Sequence, residues 1–152
     1  MRFRLALFCA IAVLTLTATS VLAADPKLDG AYRYVSTTFP GGRQTDAETK
    51  GLLVVHGKHM AFVRSNINRQ SWEQSEPADE RSKKIVAAFN GMAATCGSFE
   101  IQGNVITLTQ MAQAVPSSMG KAVKWEFKLE GKTLKLKIAG NADVEFTFEK
   151  VE

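Results

Sequence analysis

The last third of the chain alternates in its simplest form. Val123, Trp125, Phe127 and Leu129 are apolar, while Lys124, Glu126 and Lys128 between them are charged. A period of two places one set on each face of a strand, so this segment predicts a half-buried strand. Gly131 and Lys132 turn the chain into Leu134, Leu136 and Ile138, which alternate with Lys135 and Lys137. Gly140 and Asn141 turn it again into Val144, Phe146 and Phe148, alternating with Glu145, Thr147 and Glu149. Upstream, Phe99 and Ile101 lead through Gly103 and Asn104 into a strand over 105–109, and residues 116–120 form a loop. Short glycine turns between alternating runs predict consecutive antiparallel hairpins.

The earlier part is less regular but reads the same way. From Gly30, the run AYRYVSTTF is rich in aromatic and β-branched residues and predicts a strand that Pro40, Gly41 and Gly42 end. A polar loop is expected as far as Thr49. Residues 51–56 and 59–65 form two more apolar runs joined by Gly57 and Lys58, another hairpin. A helix is expected after the polar stretch 66–78, because Pro77 suits a first helical position and Asp79 and Glu80 suit the positive end of the helix dipole. Ile85, Phe89 and Met92 fall on one stripe, widened by Val86, and Asn90 and Gly91 supply a stop. Such a stripe is expected to pack on the core, with the helix over one end of the fold.

The expected fold class is therefore all-β: an eight-stranded antiparallel up-and-down barrel with one α-helix inserted between strands 3 and 4. Closure removes the exposed edges of a meander. A barrel of this size is just wide enough to be filled by side chains or to hold one small ligand.

The N-terminus follows a different pattern. Arg2 and Arg4 precede an apolar run over 5–16, and small and polar residues then lead to Val21, Leu22 and Ala23. That order predicts a cleaved signal peptide over residues 1–23, with cleavage after Ala23 or Ala24. The run is too short for a membrane-spanning helix, which needs roughly 20 apolar residues, and no later stretch approaches that length. The expected organisation is a signal peptide over 1–23 and a single barrel domain over 24–152, periplasmic or secreted.

Removing the signal changes the charge picture. The whole chain has 19 basic and 15 acidic residues, but Arg2 and Arg4 lie in the signal and no acid does. The remainder has 17 bases against 15 acids, a balance that gives no argument for nucleic acid or an anionic membrane as partner. It also has one cysteine, Cys96, so no disulfide can form within it. Cys96 is open to three readings: a buried small hydrophobe, an intermolecular link or a reactive thiol. Simple alternation sets it outward, opposite Phe99, unless Gly97 marks a bulge that resets the register.

Several of these residues carry a resemblance. Gly30, Ala31 and Tyr32, opening the first strand, resemble the Gly-x-Trp that opens lipocalin barrels. The segments AAFNGMAATCGSFEIQGNVITLT, VPSSMG and KWEFKLEGKTLKLK are similar to the bacterial lipocalin-like domain family, a calycin-type barrel. The matching positions are Gly97, Phe99, Glu100, Gly103, Pro116, Gly120, Leu129, Gly131, Leu134 and Leu136, and the likeness spans roughly residues 28–150. It implies a lipocalin-like barrel that binds a small apolar molecule, and it implies no catalytic residues and no cofactor.

Read directly, the residues point the same way. His56 and His59 flank a hairpin turn without a third ligand nearby in sequence, so no metal site is expected. Ser, His and Asp occur in no nucleophile–base motif, so no catalytic residue is assigned. The candidate ligand-binding residues are those expected inside the barrel: Tyr32, Met60, Phe62, Phe99, Trp125, Phe127, Leu134, Leu136, Phe146 and Phe148. Met92, Met111 and Met119 are candidates for an adaptable lining, and Arg33 or Arg64 for anchoring a carboxylate. A small hydrophobic ligand is the first expected partner. The alternative is a protein partner met by the outer surface, for which a filled interior would argue. A calycin-type cyclase or isomerase is a third class, and it needs a polar residue buried in a cavity.

Overall fold

A computed structural model describes residues 26–151; the signal segment expected over 1–23 lies outside them. The described residues form nine strands: β1 (Gly30–Phe39), β2 (Gly42–Thr45), β3 (Thr49–His56), β4 (His59–Asn66), β5 (Met92–Gln102), β6 (Val105–Gln113), β7 (Ala122–Glu130), β8 (Thr133–Ile138) and β9 (Asn141–Lys150). One α-helix, α1 (Ala78–Asn90), links β4 to β5. Every pairing is antiparallel. β1 and β3 to β9 follow one another round the wall, and β9 pairs back onto β1, closing an eight-stranded barrel. The helix enters after the third barrel strand, as the pattern predicts.

β2 corrects the expected loop. Its four residues, Gly42 to Thr45, pair with Ser36 to Phe39, whereas β3 pairs only with Gly30 to Arg33. The short strand therefore continues the wall along the part of β1 that β3 leaves uncovered. GRQT has neither alternation nor β-branched weight until its last residue, so only this pairing makes it a strand.

The alternating apolar positions meet inside. Tyr32, Tyr34, Leu53, Val55, Met60, Phe99, Ile106, Leu108, Leu134, Leu136, Phe146 and Phe148 form one core, with Phe62, Trp125 and Phe127 packed against it. Edge-to-face aromatic contacts lock its middle: Phe62 meets Phe148 at 5.4 Å and Tyr34 meets Phe148 at 6.2 Å between centroids. The void left among Leu53, Met60, Phe62, Leu108, Trp125 and Phe148 is about 10 Å³. That is at the limit of what holds a single water, so the barrel's middle is filled.

The two ends differ. At the end bearing the β3–β4, β5–β6 and β7–β8 turns, a single 3₁₀ turn (Pro26–Leu28) brings Leu28 into the core at 1% exposure. Tyr32 Oη donates to the Leu28 carbonyl at 2.9 Å, and Asp29 accepts from the Gly57 amide at 3.2 Å. That end is closed. The other end stays open.

The helix departs from expectation. Ile85, Val86 and Phe89 are 41%, 58% and 47% exposed, and no helix residue belongs to the core. Only Ala88 is buried. The helix is held by its ends instead: Lys84 pairs with Glu76 at 2.8 Å, and the Asn66 amide donates to the Gly91 carbonyl at 2.8 Å. Periodicity placed these side chains on one face correctly, but that face stays largely exposed.

Candidate functional site

The open end holds a cup of about 410 Å³, a size within the range of small-molecule pockets. Its floor is Phe62, Trp125 and Phe146, the upper layer of the aromatic core. Trp125 packs against Phe146 at 5.5 Å and Phe62 against Phe146 at 6.0 Å, both edge-on. The walls are small or apolar: Ala93, Ala94, Ala122, Val123 and Ile138. The polar groups are Arg64, Thr95, Gln110, Gln113, Ser118 and Lys121. The lining therefore has two cations and no carboxylate.

Strand parity explains the placement of Arg64. Met60, Phe62 and Arg64 are successive inward positions of β4, so the arginine follows two core residues to the mouth. Arg64 lies opposite Gly51 in β3 and Ala93 in β5, and a Cβ on Gly51 would lie 2.9 Å from Arg64 Cβ. Two minimal neighbours leave the guanidinium space. Gln110 faces inward, with its amide donating to Thr95 Oγ1 at 3.3 Å. The register slips just beyond it, where Cys96 pairs with Ala112 but Gly97 pairs with Gln110, leaving Met111 as the bulged residue.

Three donors have unusual surroundings. Arg64 Nη1 donates to Gln44 Oε1 at 2.6 Å, while Arg64 Nε is buried without an acceptor. The Trp125 indole N–H is also buried without one. Arg64 also lies over the Phe146 ring, with its Cζ 5.9 Å from the centroid. An uncompensated buried donor costs about 1–3 kcal/mol, and two residues that line the cup, Arg64 and Trp125, each carry one.

The other candidates spread over the molecule. Of the ten interior residues, Phe62, Trp125 and Phe146 reach the cup. Tyr32, Met60, Phe99, Phe127, Leu134, Leu136 and Phe148 belong to the packed middle and lower barrel. Arg33 points outward and pairs with Asp46 at 3.4 Å and with Glu149, so it faces no cavity. Met111 and Met119 are 63% and 53% exposed, and Met92 opens β5 on the outer wall; none lines the interior. Cys96 is half-buried and lines an outer groove with Val54, Ala61 and Ala94, the outward side that alternation gave it. His56 and His59 are cross-strand partners at the closed end, and His56 lies 3.8 Å from Asp29. Among the described residues, no group of three or more His, Cys, Asp and Glu side chains is placed to hold a metal ion. No described helix is long and apolar enough to cross a membrane.

Sequence reasoning missed Gln44, Gln110 and Lys121. They come from three separate segments, and nothing in their local sequence marks them. The inward step of two from Phe62 to Arg64 was the one available signal.

No protein-family model matches the chain, and no curated protein matches it. Its fold is similar to the crystal structure of an uncharacterized protein from Bacteroides eggerthii DSM 20697, with 10% identity and a TM-score of 0.46 over 80% of this chain and 98% of that one. That likeness carries no functional information.

Proposed function

We propose that the chain is an exported, lipocalin-like barrel that binds a small amphipathic molecule non-covalently in the cup at its open end. The observation that carries the reading is an aromatic floor of Phe62, Trp125 and Phe146 beneath a polar rim, around about 410 Å³ of space. Apolar lining with a few convergent polar groups is the usual make-up of a ligand site. Because the barrel's middle is filled, the molecule rests on the core instead of entering it. The basic-then-apolar N-terminus supports delivery to the periplasm or beyond, and the turn glycines and alternating strands support the lipocalin-like assignment.

Native mass spectrometry of protein purified from its own host, before and after incubation with a lipid extract, tests this reading. A stoichiometric adduct that solvent extraction releases is the expected result. A clean apo mass in both conditions overturns it.

A separate observation favours a second reading, a surface-mediated role as a binding protein or inhibitor in the cell envelope. Leu52 pairs with Val63 and Val54 with Ala61 on the outer face of β3 and β4, and Ala94 and Cys96 continue the patch on β5. These residues border a groove of about 460 Å³ on the barrel's outside. Contiguous exposed apolar surface of this kind marks interaction sites. A protein captured from host extract by the native chain, and lost with Val63→Asp, is the result this reading expects.

A further inference from the structure

We propose that the cup selects an oxyanion head group on an apolar chain, and that Arg64 is the residue that binds it. This rests on the reading of the cup as a ligand site.

Arg64 brings a positive charge to the cup. Its one hydrogen-bond partner among the described residues is the neutral amide oxygen of Gln44, at 2.6 Å. Gln44 is itself held, its amide nitrogen donating to Asn66 Oδ1 at 3.1 Å, which also accepts from Thr49 Oγ1 at 3.0 Å. Thr49 is fully buried. This relay of neutral groups fixes the guanidinium without compensating its charge. Buried or half-buried charges are ordinarily paired, yet no carboxylate borders the cup, and Lys121 adds a second positive charge to its wall.

The geometry also selects the shape of the partner. Gln44 occupies Nη1, which leaves the edge formed by Nε and Nη2, and Nε is the buried donor without an acceptor. A guanidinium edge matches two oxygens of one carboxylate or phosphate. Phe146 neighbours both Arg64 and Trp125, with Arg64 Cζ and the indole ring 5.9 Å and 5.5 Å from its centroid. An amphiphile with its head on Arg64 therefore has its first apolar carbons on the aromatic floor. A carboxylate and a phosphate ester share this chemistry.

The test uses Trp125 emission in a Trp72→Phe background, since Trp72 is the other tryptophan and lies outside the cup. Sodium dodecanoate, dodecyl phosphate and 1-dodecanol are titrated into this protein, its Arg64→Met variant and its Gln44→Glu variant. Gln44→Glu keeps the arginine but supplies an internal carboxylate, so it remains informative if Arg64→Met fails to fold. Charge-assisted bidentate bonding predicts about tenfold or tighter binding of at least one anion over the alcohol. Both variants are expected to reduce that ratio towards one, the anion affinities falling further than that of dodecanol. Preference for dodecanoate or for dodecyl phosphate assigns the head group. Equal affinity for all three ligands overturns the oxyanion assignment and leaves the apolar cup standing. Binding of none overturns both, and a preference that survives both variants overturns the role of Arg64.

Discussion

Tyr32 donates its phenolic hydrogen to the carbonyl of Leu28 at 2.9 Å, four residues back, and both side chains are fully buried. One tyrosine thus ties the 3₁₀ turn that plugs the barrel to the first strand of its wall. Burial, and secondarily the negative charge of Asp29, hold the Tyr32 hydroxyl above its ordinary pKa of 10.0. A raised folded-state value means that stability is fully present below pH 10 and is lost as pH climbs through the folded value. Tyr32→Phe removes one neutral hydrogen bond and is expected to cost about 1 kcal/mol at neutral pH. Urea midpoints measured at pH 7 and at steps above pH 9 check both points: the variant starts lower and loses less on the alkaline limb.

Gly97 tolerates no side chain. A Cβ there would lie 1.9 Å from the carbonyl oxygen of Thr109 on β6, and that neighbour is backbone in a paired strand. Overpacking by one methyl ordinarily costs about 1–3 kcal/mol, and here a whole strand must shift. Gly97→Ala is expected at or beyond the top of that range. Gly131 supplies the contrast: its φ is +59° in the β7–β8 turn, with open space where a Cβ would be. Gly131→Ala meets only backbone strain, about 1–2 kcal/mol. Chemical denaturation of the two variants should rank them in that order.

What the sequence made legible was local alternation. β7, β8 and β9 stand where Val123 to Phe148 placed them, with the expected faces inward. The first half of β5 was not legible, because Ala93, Ala94 and Thr95 carry too little contrast for a period to register. The bulge at Met111 likewise leaves no mark in composition, yet it sets where Gln110 points. The stripe of Ile85 and Phe89 shows a further limit: periodicity tells which residues share a face, but not whether anything packs against it. Arg64 was within reach of parity alone. Its neutral restraint by Gln44 was not, because β2 itself exists only through pairing with β1.

The start of α1 is tied by an ion pair and by Arg81, whose Nη1 donates to the Gln74 carbonyl at 2.7 Å. Lys84 Nζ meets Glu76 at 2.8 Å, and its hydrogen bond, ahead of its charge, lowers the Glu76 pKa below the ordinary 4.5. A depressed carboxylate contributes stability above its unfolded value and loses it as pH falls through the folded one. Acidification from pH 5 to below 4 should therefore fray the helix. Lys84→Met should abolish that step by fraying the helix already at neutral pH. Far-UV circular dichroism at 222 nm follows the helix, and Trp125 emission in the Trp72→Phe background reports whether the barrel persists. Coincident loss of both signals would mean that the helix and barrel unfold as one unit.

Phe146 and Phe148 are neighbouring inward positions of β9, stacked at 6.4 Å, but they serve different spaces. Phe148 is 1% exposed and enclosed by Tyr34, Phe62 and Phe146, whereas Phe146, at 8%, forms part of the cup's floor. Truncating Phe148 leaves a sealed void, for which phenylalanine-to-alanine changes cost about 3–5 kcal/mol. Truncating Phe146 opens its space into the cup, where water replaces the lost contacts, so Phe146→Ala should cost less. It should also expose the Trp125 ring and shift its emission to the red in the folded protein, a change Phe148→Ala should not produce. Urea unfolding and emission spectra of the two variants decide the matter. Equal costs with unshifted emission would mean that the floor is sealed from the cup, and the ligand site would then need another location.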